Sequence, residues 1–96
     1  MRFRELIYND KSILNNKEIH KILERENFNW LIDSEIQDAK IEIKKNTLIW
    51  HDGYFNGIWN YGIFKNGQFH GTFENGILEG GQFKGKFVSG INLISV

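Results

Sequence analysis

The chain of 96 residues is long enough for one small domain, near the lower limit for a core without covalent staples. It has no cysteine, which rules out disulfides and thiolate metal sites. Twelve Lys and Arg balance twelve Asp and Glu, and the balance holds in each half, nine against ten over residues 1–52 and three against two over 53–96; nucleic acid is therefore not an expected partner, since its phosphates call for a basic footprint.

The N-terminal stretch MRFRELIYND has no apolar segment of signal-peptide length, and no apolar run approaches a membrane span. The expectation is a soluble, cytoplasmic protein with no membrane partner. Fourteen Ile against two Val and one Ala, with eleven Asn and nine Lys, suggest an AT-rich genome such as many bacteria and their phages have. A phage-encoded chain in a host cytoplasm fits that bias.

Two parts follow one another, a strand and helix cap over residues 1–38 and a repeat array over 39–96. Arg2 to Tyr8 reads as a strand and Asn9-Asp10-Lys11 as a turn. Asn15, with Glu18 three residues on, reads as the cap of a helix from Asn16 to Glu26. Its apolar face is Ile19, Ile22 and Leu23, opposite Lys17, Glu18, Lys21, Glu24 and Arg25. Phe28, Trp30, Leu31 and Ile32 then form an apolar knot expected on the same core.

From residue 53 the chain repeats every 14 residues: GYFNGIWNYGIFKN, GQFHGTFENGILEG from 67 and GQFKGKFVSGINLI from 81. Column one is Gly53, Gly67 and Gly81; column three Phe55, Phe69 and Phe83; column five Gly57, Gly71 and Gly85. Column seven is Trp59, Phe73 and Phe87; column ten Gly62, Gly76 and Gly90; column twelve Phe64, Leu78 and Asn92. The row from Ala39 matches weakly through Ile41, Ile43, Leu48 and Trp50, as a worn terminal repeat does. Strand alternation puts the rings on one face and polar residues on the other. The glycines of columns one and ten are expected to make corners, and those of column five to leave room for rings of neighbouring strands.

Phe69-x-Gly71-x-Phe73-x-x-Gly76-x-x-x-Gly80 resembles the core of the MORN repeat, and Lys65-Asn66-Gly67 with His70-Gly71 echoes its KNG…HG segment. Phe55-x-Gly57-x-Trp59-x-x-Gly62 and Phe83-x-Gly85-x-Phe87-x-x-Gly90 match its first half. The resemblance covers residues 53–90, in rows shorter than those of the family, and implies β-hairpins in an elongated sheet that acts as a scaffold or docking surface. A 14-residue row also suits one coil of a narrow three-sided β-solenoid. The fold class expected is thus α+β and mainly β, an N-terminal helical segment followed by either a MORN-like hairpin sheet or a short solenoid.

Nine large apolar side chains from Trp50 to Phe87 lie on one side of the array, more surface than a soluble monomer leaves open. Closure of the array on itself, the N-terminal part laid across it, or a second chain could cover them. A homodimer through Ile91, Leu93, Ile94 and Val96, at an end lacking a polar cap, is the specific form of the last.

Little points to chemistry. His20, His51 and His70 have no second His or carboxylate at ligand spacing, and the glycines lack the Lys-Ser/Thr of a phosphate loop. No catalytic residue, cofactor or metal is expected. The surface that could bind something regular is the outward ladder Tyr54, Asn56, Gln68, His70, Gln82, Lys84 and Lys86. The function expected is a non-catalytic protein-interaction or scaffold module. The alternatives are a small phage-type inhibitor of a host enzyme or defence complex and, more weakly, a carbohydrate- or lipid-binding module.

Overall fold

A computed structural model describes residues 2–94 of the chain. Strand β1 (Phe3–Tyr8) turns at Asn9 and Asp10, both left-handed with φ of 51° and 64°, into the short antiparallel strand β2 (Lys11–Ile13). Short polar side chains tolerate that backbone region better than bulky ones. Helix α1 (Asn16–Arg25) begins as its cap suggests, the Glu18 amide donating to Asn15 Oδ1 at 3.1 Å. The next side chain moors it: Asn16 Nδ2 donates to the Phe3 carbonyl and the Phe3 amide donates to Asn16 Oδ1, both at 3.0 Å. Ile19, Ile22 and Leu23 thereby enter the core with Phe3 and Leu6. The apolar knot forms a single helical turn, α2 (Asn29–Ile32).

The remaining strands build the array. Strand β3 (Glu35–Lys44) runs parallel to β1 and pairs antiparallel with β4 (Thr47–Trp59) across a turn at Lys45 and Asn46. Beyond β4 every ladder is parallel and joins residue n to residue n + 14. Ile49 and Trp50 of β4 pair with β5 (Ile63–Phe64), which pairs with β7 (Ile77–Leu78), which pairs with β10 (Ile91–Asn92). Tyr54 to Trp59 pair with β6 (Gln68–Phe73), whose two ends pair with β8 (Gln82–Phe83) and β9 (Lys86–Phe87).

The array is therefore a β-solenoid with three short sides per coil. A sheet of hairpins would have paired neighbouring rows antiparallel, so the MORN-like alternative does not describe these strands. Of the row from Ala39, Ile49 and Trp50 take up the solenoid register, whereas Lys40 to Lys44 fold back along β4. That fold-back lays β3 along the starting edge of the first coil.

Self-closure covers the rings. Trp50, Phe55, Trp59, Phe64, Phe69, Phe73 and Leu78 are all fully buried. Along each column the rings stack nearly parallel: Phe55 on Phe69 and Phe69 on Phe83 (5.2 and 5.1 Å), Trp59 on Phe73 and Phe73 on Phe87 (5.9 and 5.3 Å), Trp50 on Phe64 (5.6 Å). Within a coil they meet edge to face, as do Phe64 and Phe69 at 90°. Each such pair is worth about 0.5–1.5 kcal/mol beyond the area it buries. At the starting end Trp30 of α2 stands edge-on to Trp59, 5.0 Å away, and closes the lumen.

The expectation for the column-five glycines holds in part. A Cβ on Gly71 would strike the backbone nitrogen and oxygen of Gly57 in the coil before, and Gly71 itself has φ of 97°. At Gly85 the same approach to the Gly71 carbonyl is joined by the Phe69 ring at 3.1 Å, and Gly57 faces the Ser34 side chain, so column five makes room for adjacent backbone and, at Gly85, for a ring as well.

Candidate interaction surface

With the rings turned inward, the outer faces carry whatever function the array has. The first side presents two of the expected columns. Tyr54, Gln68 and Gln82 stand in register, and Asn56 pairs in register with His70. Lys84 follows on the next coil, its amide donating to the Phe69 carbonyl. The Tyr54 and His70 rings lie 5.2 Å apart, tilted by 42°, and Asn56 Nδ2 reaches Glu35 Oε1 at 3.4 Å. Lys86 does not join this group. It lies past the corner at Gly85, on the second side, in register with Thr72.

Beside the first side is a depression of about 280 Å³ between Arg4, Asp38, Asp52, Tyr54 and Gln68. Its cation is already matched: Arg4 bridges Asp38 at 3.2 Å and Asp52 at 3.5 Å. A larger groove of about 960 Å³ runs along α1, between Arg2, Leu14, Lys17, His20 and Lys21. There the Arg2 guanidinium donates to the carbonyls of Leu31 and Ser34 at 3.2 and 2.6 Å. His20 stands edge-on to Phe3, 5.9 Å away. Burial holds its imidazole below the usual pKa, and the Arg2 charge adds to that, with Glu24 opposing.

The three histidines are dispersed. His51 Nε2 lies 2.9 Å from Glu42 Oε1 on the outer face of the β3–β4 hairpin, away from both His20 and His70. Among the described residues no three His, Asp or Glu side chains converge as metal ligands.

The third side carries a column that reading the aromatic pattern passed over. Ile49, Ile63, Ile77 and Ile91 stand in register on four neighbouring strands of the sheet, the first three partly buried and Ile91 exposed. Their neighbours Trp50, Phe64 and Leu78 point into the lumen, so by alternation the isoleucines point out. Two residues along lies a parallel column, His51, Lys65, Glu79 and Leu93, of which Lys65 and Glu79 are exposed. Ile91 and Leu93 are 54% and 61% exposed. The signal was there in the rows, since column eleven is Ile four times over, but it lacked the rings and glycines that draw the eye.

This placement bears on the expected dimer residues. Ile91 and Leu93 belong to the outer wall of the third side, while Ile94 packs in part against the core. Val96 lies outside the described residues. No helix is long and apolar enough to cross a membrane among the described residues. No family model, curated protein or solved structure matches this chain.

Proposed function

We propose that the protein is a non-catalytic protein-interaction module whose docking surface is the third side of the solenoid. One observation carries this reading: four isoleucines in register point outward on a coil whose lumen is already filled by rings. In-register isoleucines support one another along the sheet, yet the stripe still offers a continuous apolar edge to solvent that ends in the exposed Ile91 and Leu93. Scattered apolar residues on a surface need no explanation, but a contiguous stripe marks a place where another surface sits. The scaffold suits the task, because a docking face that is rigid before binding loses little conformational entropy on binding.

The test is a paired comparison of faces. Ile77→Lys should abolish recovery of whatever associates with the protein, the circular dichroism staying that of the wild type, whereas Thr72→Asp on the second side should leave association intact. Equal loss from both variants, or from neither, overturns the reading.

A carbohydrate- or peptide-binding first side is a second reading, favoured by the tilted Tyr54–His70 ring pair beside a line of amide side chains. Stacked rings and amides suit sugar hydroxyls. Titration with oligosaccharides should then shift the His70 and Tyr54 ring resonances; unchanged resonances dispose of it.

A further inference from the structure

Resting on the interaction reading above, we infer that the occupant of the third side is a second copy of this chain, packed face to face about a two-fold axis that runs along the strands between Ile63 and Ile77. The face is complementary to itself. Such an axis reverses the order of the coils, so Ile63 meets Ile77 of the second copy and Ile49 meets Ile91. The neighbouring column obeys the same operation: Lys65 falls opposite Glu79 of the second copy, and by symmetry Glu79 falls opposite its Lys65. One interface thus contains an apolar stripe on an apolar stripe, flanked by two pairs of opposite charges, with Leu93 over the His51 imidazole. No like charges of this column are brought together.

The alternative axis, along the column of isoleucines, keeps each coil level with itself. It would set Lys65 against Tyr61 and Glu79 against Asn75, and neither charge would meet its opposite. Lys65 and Glu79 are both exposed, and neither takes part in an ion pair among the described residues. They stand free to bridge between copies. Closed isologous pairing of this kind is the commonest symmetry of soluble oligomers, and two sheets packed face to face are an ordinary way to bury one apolar face of each.

Size sets the expected strength. Four strands at about 4.8 Å spacing, with their flanking columns, cover on the order of 400 Å² per copy, roughly 800 Å² in all and below the size of a stable specific interface. The dimer is therefore a weak, reversible one that forms only at high protein concentration. Two charge pairs at its rim give it orientation and a salt-dependent affinity.

Sedimentation equilibrium over a concentration series decides the matter. The wild type should follow a monomer–dimer equilibrium, and Ile77→Lys should stay monomeric throughout. Lys65→Glu and Glu79→Lys should each weaken the dimer by roughly tenfold or more, since each sets like charges face to face twice. The Lys65→Glu/Glu79→Lys double variant should restore it. Thr72→Asp, on another side, should change nothing. A wild type monomeric at every concentration overturns the inference, as does a dimer indifferent to Ile77→Lys or a double variant no better than the singles. If the monomeric wild type binds a different protein in an Ile77-dependent manner, the two-fold dimer falls while the interaction reading stands; if it binds nothing, both fall.

Discussion

Column three holds a phenylalanine at both ends of the solenoid, Phe55 and Phe83, yet the two ends are finished differently. At the starting end β3 pairs along the free edge of the first coil, and Trp30 closes the lumen over Phe55 and Trp59. There Phe55, Trp59 and Phe64 are fully buried. At the far end Phe83 and Phe87 are only half-buried, and Asn92 occupies the inward position held by Phe64 and Leu78 in the coils before. The comparison teaches that a repeat unit has no fixed energy of its own. Identical side chains are worth more where a neighbouring coil or cap shields both faces of the ring, which is the nearest-neighbour logic of repeat proteins.

Truncating a ring at each end should expose that difference most strongly. Phe55→Ala should cost about 3–5 kcal/mol in denaturant unfolding, as for a fully buried aromatic. Phe83→Ala, in the same column two coils later, should cost about 1–2 kcal/mol, in proportion to the smaller area it hides. Equal costs would break the comparison.

The corners provide the next test. Gly71→Ala should cost about 2–4 kcal/mol, because the new Cβ meets the Gly57 backbone from a left-handed conformation. Gly85→Ala meets the Gly71 carbonyl in the same way, but its φ is not in the left-handed region and the last coil can lift away. A loss of about 1 kcal/mol is expected there, read as a smaller fall in Tm.

Hydrogen exchange should then grade the coils. The amides of Glu74 and Glu79 donate to Trp59 and Phe64, and those of Val88 and Leu93 donate to Phe73 and Leu78, all at 2.8–2.9 Å. Equal bonds should not exchange equally: Val88 and Leu93 should exchange roughly ten- to a hundredfold faster, since local opening starts where shielding is least.

The smallest effect belongs to the cap. The lowered pKa of His20 means that the unfolded chain binds the proton more readily than the folded one. Stability from this group is complete above the ordinary value of 6.5 and is lost as pH falls below it. Glu5, held low chiefly by the Ser12 hydroxyl, adds a further loss in the carboxylate range. Tm should therefore decline modestly from neutral pH towards pH 5, and His20→Gln should flatten that decline. A decline unchanged by the substitution would remove His20 from the account.

How far the sequence disclosed all this depended on the kind of signal. Asn15 and the spacing of Ile19, Ile22 and Leu23 announced α1, because cap chemistry and helical period are local. The 14-residue rows announced the coils, and strand alternation put the rings inside. Direction of pairing was not legible, since a row of Phe-x-Gly-x-Phe fits a hairpin or a coil equally; the n + 14 ladders decide it. Nor was the fold-back of Lys40 to Lys44, whose alternating Ile41 and Ile43 look the same in a parallel or an antiparallel partner. On the surface, the polar ladder was legible as a set of columns, but the corner at Gly85 separates Lys86 from the rest. The isoleucine column escaped notice because an outward apolar residue looks like a core residue until the inward positions are known to be full.

The constant separation of partners in the array has a kinetic consequence. Each coil closes onto the one before through a loop of the same modest length, so each addition meets a similar chain-entropy cost and none requires a distant segment to be found. The hairpin of β3 and β4, joined by the tight turn at Lys45 and Asn46, can form first and present an edge on which the first coil settles. Coils can then add onto that edge one at a time. Adding or removing a whole row changes the height of the stack and the number of isoleucines on its third side, while the path of the chain through every other coil stays the same.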